Sequence, residues 1–314
     1  MHGRIDVHAH IVPSFLAEAA KLAGFSASIS AGFPEWTPEL ALGFMDANGI
    51  ASAVNSISQP GVHYGDDKRA RVLARRCNDF MADLADRYPL RFGAFATLPL
   101  PDVDGALAEI AYALDVLKLD GVGLLASYGN DFLGDVTFDP VLKLLNERAA
   151  VVFIHPNYHP SSKKLAMKIP AFLIEFPIDT TRAVANLIFS GSIDRFPNIK
   201  FILAHNGGAL PYLSWRVSLA PLIDKRFQSF SQASILMAIR SFYYESAQAA
   251  GPGPMSALVE VAEPEHMLFG TDWPYCAPCV TQAGDESLFA TLNESNSKKM
   301  FHSNALALFP RLGR

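Results

Sequence analysis

The sequence predicts a (β/α)8 barrel, and two observations carry that prediction. First, apolar runs of strand length alternate with amphipathic segments along the 314 residues. Candidate strands lie at 4–8, 51–58, 92–98, 120–126, 150–155, 199–205, 240–245 and 267–272; candidate helices lie near 38–48, 67–87, 103–117, 138–148, 177–190, 210–228, 254–262 and 285–309. Strand and helix in strict alternation, eight times over, spell a closed parallel barrel. Second, the run Ala149-Ala150-Val151-Val152-Phe153-Ile154 has no polar alternation, and Ile199-Lys200-Phe201-Ile202-Leu203-Ala204 is similar. Such strands are buried on both faces, as in a parallel sheet covered by helices. The open doubly wound alternative usually carries a glycine-rich phosphate loop after its first strand. Neither Gly-x-Gly-x-x-Gly nor a Walker A motif occurs there.

The chain shows no internal repeat, and residues 1–314 read as one barrel domain. Residues 11–37, with Gly24, Gly32, Pro34 and Trp36, read as an insertion or lid beside the mouth; residues 157–176, with Pro160, Lys163, Lys164 and Pro170, form a second loop over it. Half of the residues are hydrophobic, the net charge is −5 and no basic run is present. This argues against nucleic acid and anionic membrane as partners. No stretch reads as a signal peptide or membrane span. Three cysteines are too few for a disulfide framework. Together these features predict a cytoplasmic protein. Cys276-Ala-Pro-Cys279 lacks both a second ligand pair and a thioredoxin-type context, so it reads as two reduced thiols in a loop.

Barrel function collects at the C-terminal ends of the strands. The first strand, Arg4-Ile5-Asp6-Val7-His8-Ala9-His10, ends in two histidines one residue apart, which a strand presents on the same face. The fifth ends in His155, the sixth in His205 and the eighth in Asp272. Three imidazoles and a carboxylate suit Zn2+ with an open position for water or substrate, and Mn2+ is the alternative. His8, His10, His155 and Asp272 are then the ligands of one metal per chain, with no organic cofactor. His205 is left beside them as an acid or base next to the metal-bound water or substrate. Asp272 is the other candidate for proton delivery.

Four stretches carry a resemblance to a known family: Asp6-Val7-His8-Ala9-His10, Phe153-Ile154-His155-Pro156, Ala204-His205-Asn206-Gly207-Gly208 and Gly270-Thr271-Asp272-Trp273-Pro274. Their order and spacing resemble the non-oxidative decarboxylase branch of the amidohydrolase superfamily. That branch includes aminocarboxymuconate-semialdehyde, γ-resorcylate and 6-methylsalicylate decarboxylases. The resemblance implies a barrel, a mononuclear metal on the four named ligands, and His205 as the catalytic histidine. The lysine that bridges two metals in binuclear members has no counterpart in Asp120-Gly121-Val122-Gly123-Leu124-Leu125-Ala126. Arg216, eleven residues after His205, matches an arginine that in the aminocarboxymuconate-semialdehyde decarboxylases reaches the neighbouring subunit's site. The match implies a homodimer with Arg216 on a substrate carboxylate.

The stretches Ser127–Asp135 and Glu175–Arg182 look closest to the 6-methylsalicylate decarboxylases, which implies that the substrate is a small aromatic acid, 6-methylsalicylate, converted to 3-methylphenol and CO2. Glu175, Asp179 and Arg182 are expected to organise the segment over strand five. Trp36, Tyr128, Tyr158 and Trp273 are candidate walls for the aromatic ring, Trp36 foremost as a substrate contact. Asn206 replaces a glycine often found after this histidine in the branch. Another acid of the branch, such as γ-resorcylate or aminocarboxymuconate semialdehyde, is the alternative substrate, and the same metal site also permits hydrolysis of an amide or lactone.

Overall fold

Eight parallel strands follow one another around a single sheet in chain order. They are β1 (Arg4–His10), β2 (Ile50–Ser56), β3 (Phe92–Thr97), β4 (Gly121–Leu125), β5 (Val151–His155), β6 (Lys200–Leu203), β7 (Tyr243–Glu245) and β8 (Met267–Leu268). The ring closes between β1 and the segment after β8. Val7 N–H donates to Phe269 O at 2.9 Å, Asp272 N–H to His8 O at 2.7 Å, and His10 N–H to Trp273 O at 2.8 Å. The structure, a computed structural model, describes residues 3–25, 32–165 and 168–313. Residues 26–31 of the expected insertion and 166–167 of the second loop lie outside the described residues.

The helices are α1 (Ser14–Leu22), α2 (Pro38–Ala47), α3 (Asp67–Arg87), α4 (Val103–Ile110), α5 (Asp139–Glu147), α6 (Glu175–Phe189), α7 (Leu210–Ser218), α8 (Gln232–Ser241), α9 (Pro252–Val261) and α10 (Pro278–Thr291), with shorter turns between them. Their starts follow from capping chemistry. Thr37, Asp66 and Asp102 each accept a backbone N–H from the first turn of α2, α3 and α4, satisfying a donor that the helix leaves unpaired. None of the described helices is long and apolar enough to cross a membrane.

Two apolar cores hold the layers together. The larger lies between the sheet and the outer helices. The smaller fills the barrel interior with Val7, Val54, Phe95, Phe153 and Ile202 and is plugged from below by Phe309. Phe95 and Phe153 stack inside it with centroids 5.3 Å apart. Among the described residues the barrel interior is therefore filled beneath its mouth.

The expected elements are present, with shifted ends. The expected strand 240–245 begins too early, because Arg240 and Ser241 close α8. The expected helix 210–228 breaks after Ser218, and the expected helix 285–309 starts earlier, at Pro278, and breaks after Thr291. Helix α1 lies within the expected insertion. His205 and Asp272 sit beyond the last residues of β6 and β8 rather than on the strands.

Candidate metal centre

Strand β1 does not keep simple alternation up to its histidines. Its register advances from Asp6 to Ala9 while β2 advances only from Ala53 to Asn55, a bulge of one extra residue. Bulges re-aim side chains next to functional sites. Here Val7 packs in the barrel interior, while the next residue, His8, also faces inward, its ring 4.9 Å from that of Phe153. His10, two residues on, shares the face of His8, as the spacing predicts.

The four expected ligands converge. His8, His10, His155 and Asp272 each bring a ligand-type atom within 4.8 Å of the others, and all are buried. His8 Nε2 and His10 Nε2 are 3.0 Å apart. Asp272 Oδ1 lies 3.4 Å from the first and 3.0 Å from the second. The His155 ring is 5.2 Å from His8 and 4.9 Å from His10, centroid to centroid.

The second nitrogen of each ring is engaged outside the cluster. His8 Nδ1–H donates to Glu245 Oε1 at 2.7 Å. His10 Nδ1 is 2.9 Å from Ser56 Oγ; that hydroxyl donates to Ala9 O, so it accepts from the ring. His155 Nδ1–H donates to Pro156 O at 2.8 Å. These bonds fix the tautomers and leave the Nε2 lone pairs to face one another and the carboxylate. Once His8 gives up its proton these buried acceptors converge without a donor among them, which is costly unless a cation takes that place, so the donor set fits a divalent cation.

Electrostatics agree with that reading. Burial holds His155 well below the ordinary imidazole range and lowers His10. Burial also opposes a charge on His8, but Glu245 and Asp272 outweigh it and raise His8 to about 10. Burial alone would raise Asp272; His8 and His10 instead hold it well below the usual carboxylate range.

His205 stands beside the cluster, its ring 5.0 Å from His8 and 6.1 Å from His155. Its Nδ1–H donates to Ala247 O at 2.9 Å, which leaves Nε2 as the nitrogen free for proton transfer. Backbone geometry sets both proton-handling candidates apart. His205 has φ 54° and Asp272 φ 61°, a left-handed conformation that costs a side-chain-bearing residue about 1–3 kcal/mol and clusters at functional sites. Asn206 shares it at φ 54°, which asparagine tolerates best after glycine, and its Nδ2 donates to Ala249 O at 2.7 Å.

Other expected residues fall further out. Trp36 is buried with its ring 5.9 Å from Phe80, and its Nε1 has no partner among the described residues. Tyr128 is buried and accepts the Leu125 N–H at 2.9 Å. Tyr158 is half-buried in the loop after β5. Trp273 stacks on Phe44. Arg216 is exposed on α7. Glu175 accepts from Ser162 Oγ at 2.6 Å, and Asp179 accepts from Ser127 Oγ and from Asn157 N–H, so both carboxylates tie down the segment after β5. Arg182 is exposed, and among the described residues no ion pair joins it to either. Cys276 and Cys279 are free thiols outside the cluster.

Three residues absent from the sequence reading touch the site. Glu245 is one. Gln248 Nε2 donates to Asp272 Oδ2 at 2.5 Å. The Tyr275 ring stands edge-on to His10 at 5.4 Å. Glu245 had a visible signal, a carboxylate at the end of a candidate strand; Gln248 and Tyr275 had none.

The chain is thus a parallel barrel with a buried three-histidine, one-aspartate cluster at its mouth. The chain belongs to the amidohydrolase family Amidohydro_2, whose model matches residues 5–311. It is similar to 6-methylsalicylic acid decarboxylase of Penicillium expansum, 35% identical over 98% of this chain and 97% of that protein. A crystal structure of an amidohydrolase II superposes with a TM-score of 0.89 at 30% identity, covering 99% of this chain and 100% of that one. The dihydroxybenzoic acid decarboxylase of Polaromonas sp. JS666, solved with manganese and 2-nitroresorcinol, superposes with a TM-score of 0.84 at 24% identity, covering 100% and 98%. This last likeness speaks for the fold.

Proposed function

We propose that this protein is a metal-dependent carboxy-lyase that removes CO2 from a hydroxy-substituted aromatic acid without oxidation, with 6-methylsalicylate as substrate and 3-methylphenol as product. The observation that supports it is the donor set of His8, His10, His155 and Asp272 with His205 alongside, in a chain 35% identical to a protein named for that reaction. Those four residues would hold a Zn2+ or Mn2+ ion, which would supply Lewis acidity toward the oxygen atoms of a bound acid.

The protein's own groups then handle the proton. His205, with Nδ1–H committed to Ala247 O, carries the transferable proton on Nε2. It delivers that proton to the ring carbon bearing the carboxylate. The carbon–carbon bond to the carboxylate breaks, its electron pair restores the aromatic ring, and CO2 leaves. Asp272 is the second proton-handling group. Its Oδ1 faces His8 and His10 and its Oδ2 accepts from Gln248, so it serves best ionised, which favours delivery by His205.

For substrate contacts we assign Trp36, whose buried Nε1 has no partner among the described residues, and Arg216. The exposed guanidinium of Arg216 sits on α7 between exposed Tyr212 and Trp215 and, just beyond, Leu222 and Ile223. That apolar surface suits pairing with a second copy, so a homodimer belongs to the same reading. All three cysteines are free, which suits the reducing cytoplasm.

The test is parallel incubation of the metal-loaded protein with 6-methylsalicylate, γ-resorcylate, aminocarboxymuconate semialdehyde and a panel of lactones and amides, with products separated by chromatography. Loss of CO2 from 6-methylsalicylate supports the full proposal. Turnover of another acid keeps the reaction and changes the substrate. A product that has gained water replaces decarboxylation by hydrolysis.

A further inference from the structure

Glu245 ends β7 and is fully buried. Three donors converge on its carboxylate. Oε1 accepts His8 Nδ1–H at 2.7 Å and His205 backbone N–H at 2.5 Å; Oε2 accepts Ala247 N–H at 2.7 Å. The backbone of Ala247 in turn takes the His205 ring through its carbonyl. One carboxylate thus holds a ring of the metal cluster and both the backbone and, through Ala247, the imidazole of His205.

The space for this carboxylate is reserved by Gly270. A Cβ at residue 270 would stand 2.0 Å from Glu245 Oε2 and 2.8 Å from His8 Cβ. Nothing larger than glycine leaves room for the Glu245–His8 contact. This explains the glycine in Gly270-Thr271-Asp272 by packing, not by backbone freedom.

We propose that Glu245 is a positioning residue that couples the metal cluster to His205, fixing the His8 tautomer and the separation of the two rings. The proposal rests on the metal-centre reading above and adds to it the group that holds the centre and the proton donor in one rigid unit. The chemistry requires a carboxylate of this length. A glutamine has one accepting oxygen, and its amide NH2 would face either His8 Nδ1–H or Ala247 N–H, donor against donor. An aspartate is one methylene short of the three donors.

The test uses full-length protein carrying Glu245→Gln or, independently, Gly270→Ala. Zn2+ affinity is measured by competition with a chromophoric chelator, and the ligand-field spectrum is recorded after Co2+ loading. Each folded variant is expected to bind Zn2+ about 10- to 100-fold more weakly, with shifted Co2+ bands that a loss of stability alone would not produce. At saturating metal, kcat should fall while KM holds, because His205 has lost its anchor. A folded Glu245→Gln protein with wild-type Zn2+ affinity and Co2+ spectrum overturns the proposal, whatever its activity. The metal readouts stand even if no substrate is turned over, so failure of this proposal and failure of the decarboxylase reading are told apart. Should neither variant fold, the histidine ring protons of metal-loaded wild-type protein decide: a downfield, exchange-protected His8 Nδ1 proton upholds the bond to Glu245, and its absence refutes it.

Discussion

The Nε2 atoms of His8 and His10 lie 3.0 Å apart, and neither ring can turn away because each Nδ1 is bonded elsewhere. A cation held between them binds only the folded chain, since the unfolded chain does not bring the two rings together. Chelator-treated protein should therefore melt several degrees below metal-loaded protein. A ligand at about 1,000 times its Kd stabilises by about 4 kcal/mol. Calorimetry of the two forms checks this, and coincident transitions would count against a metal at the cluster.

Proton and metal compete for His8. In the metal-free protein its pKa is raised to about 10 by Glu245 and Asp272 against the opposing effect of burial, so the ring is charged at neutral pH. Binding a cation at Nε2 must expel that proton. Metal affinity should rise about tenfold per pH unit from pH 7 to pH 9 and level off above 10. Titration calorimetry in buffers of different ionisation enthalpy should count about one proton released. The sign for folding is the reverse. A raised histidine pKa contributes stability to the metal-free fold fully below the unfolded value near 6.5, and that contribution is lost as pH climbs through about 10.

Replacing His205 separates proton transfer from metal binding. Its Nδ1 bonds Ala247 O, and it stands outside the four-residue cluster of His8, His10, His155 and Asp272. His205→Ala should lower kcat by about 10²- to 10⁴-fold and leave bound metal unchanged by elemental analysis. Loss of metal together with activity would make His205 a ligand.

The barrel interior carries the stability on which the site rests. Phe153 is fully buried, stacks on Phe95 and touches the His8 ring edge-on. Phe153→Ala should cost about 3–5 kcal/mol, measured by denaturant unfolding, and should loosen metal binding as well. A change below about 1 kcal/mol would show that the interior collapses around the gap.

The positions that read clearly from sequence were those whose chemistry is local. His8, His10, His155, His205 and Asp272 each end an apolar run, and barrel topology alone carries them to one mouth. What stayed hidden depends on closure. The bond from Glu245 to His8 spans 237 residues, and the bulge in β1 exists only against β2. Gln248 meets Asp272 from a left-handed backbone position that no periodicity marks. The packing of the Trp36 ring beside Phe80 was equally hidden, because side-chain direction in an irregular segment is set by tertiary packing, which local pattern does not encode.

The proposed decarboxylation requires a single metal at His8, His10, His155 and Asp272. Its most direct test is to titrate metal-free protein with Zn2+ or Mn2+ in the presence of 6-methylsalicylate and to follow CO2 and 3-methylphenol together. Activity should rise linearly and break at one metal per chain, with the two products equimolar. Equal activity in rigorously metal-free protein, or a break at two metals per chain, would contradict it.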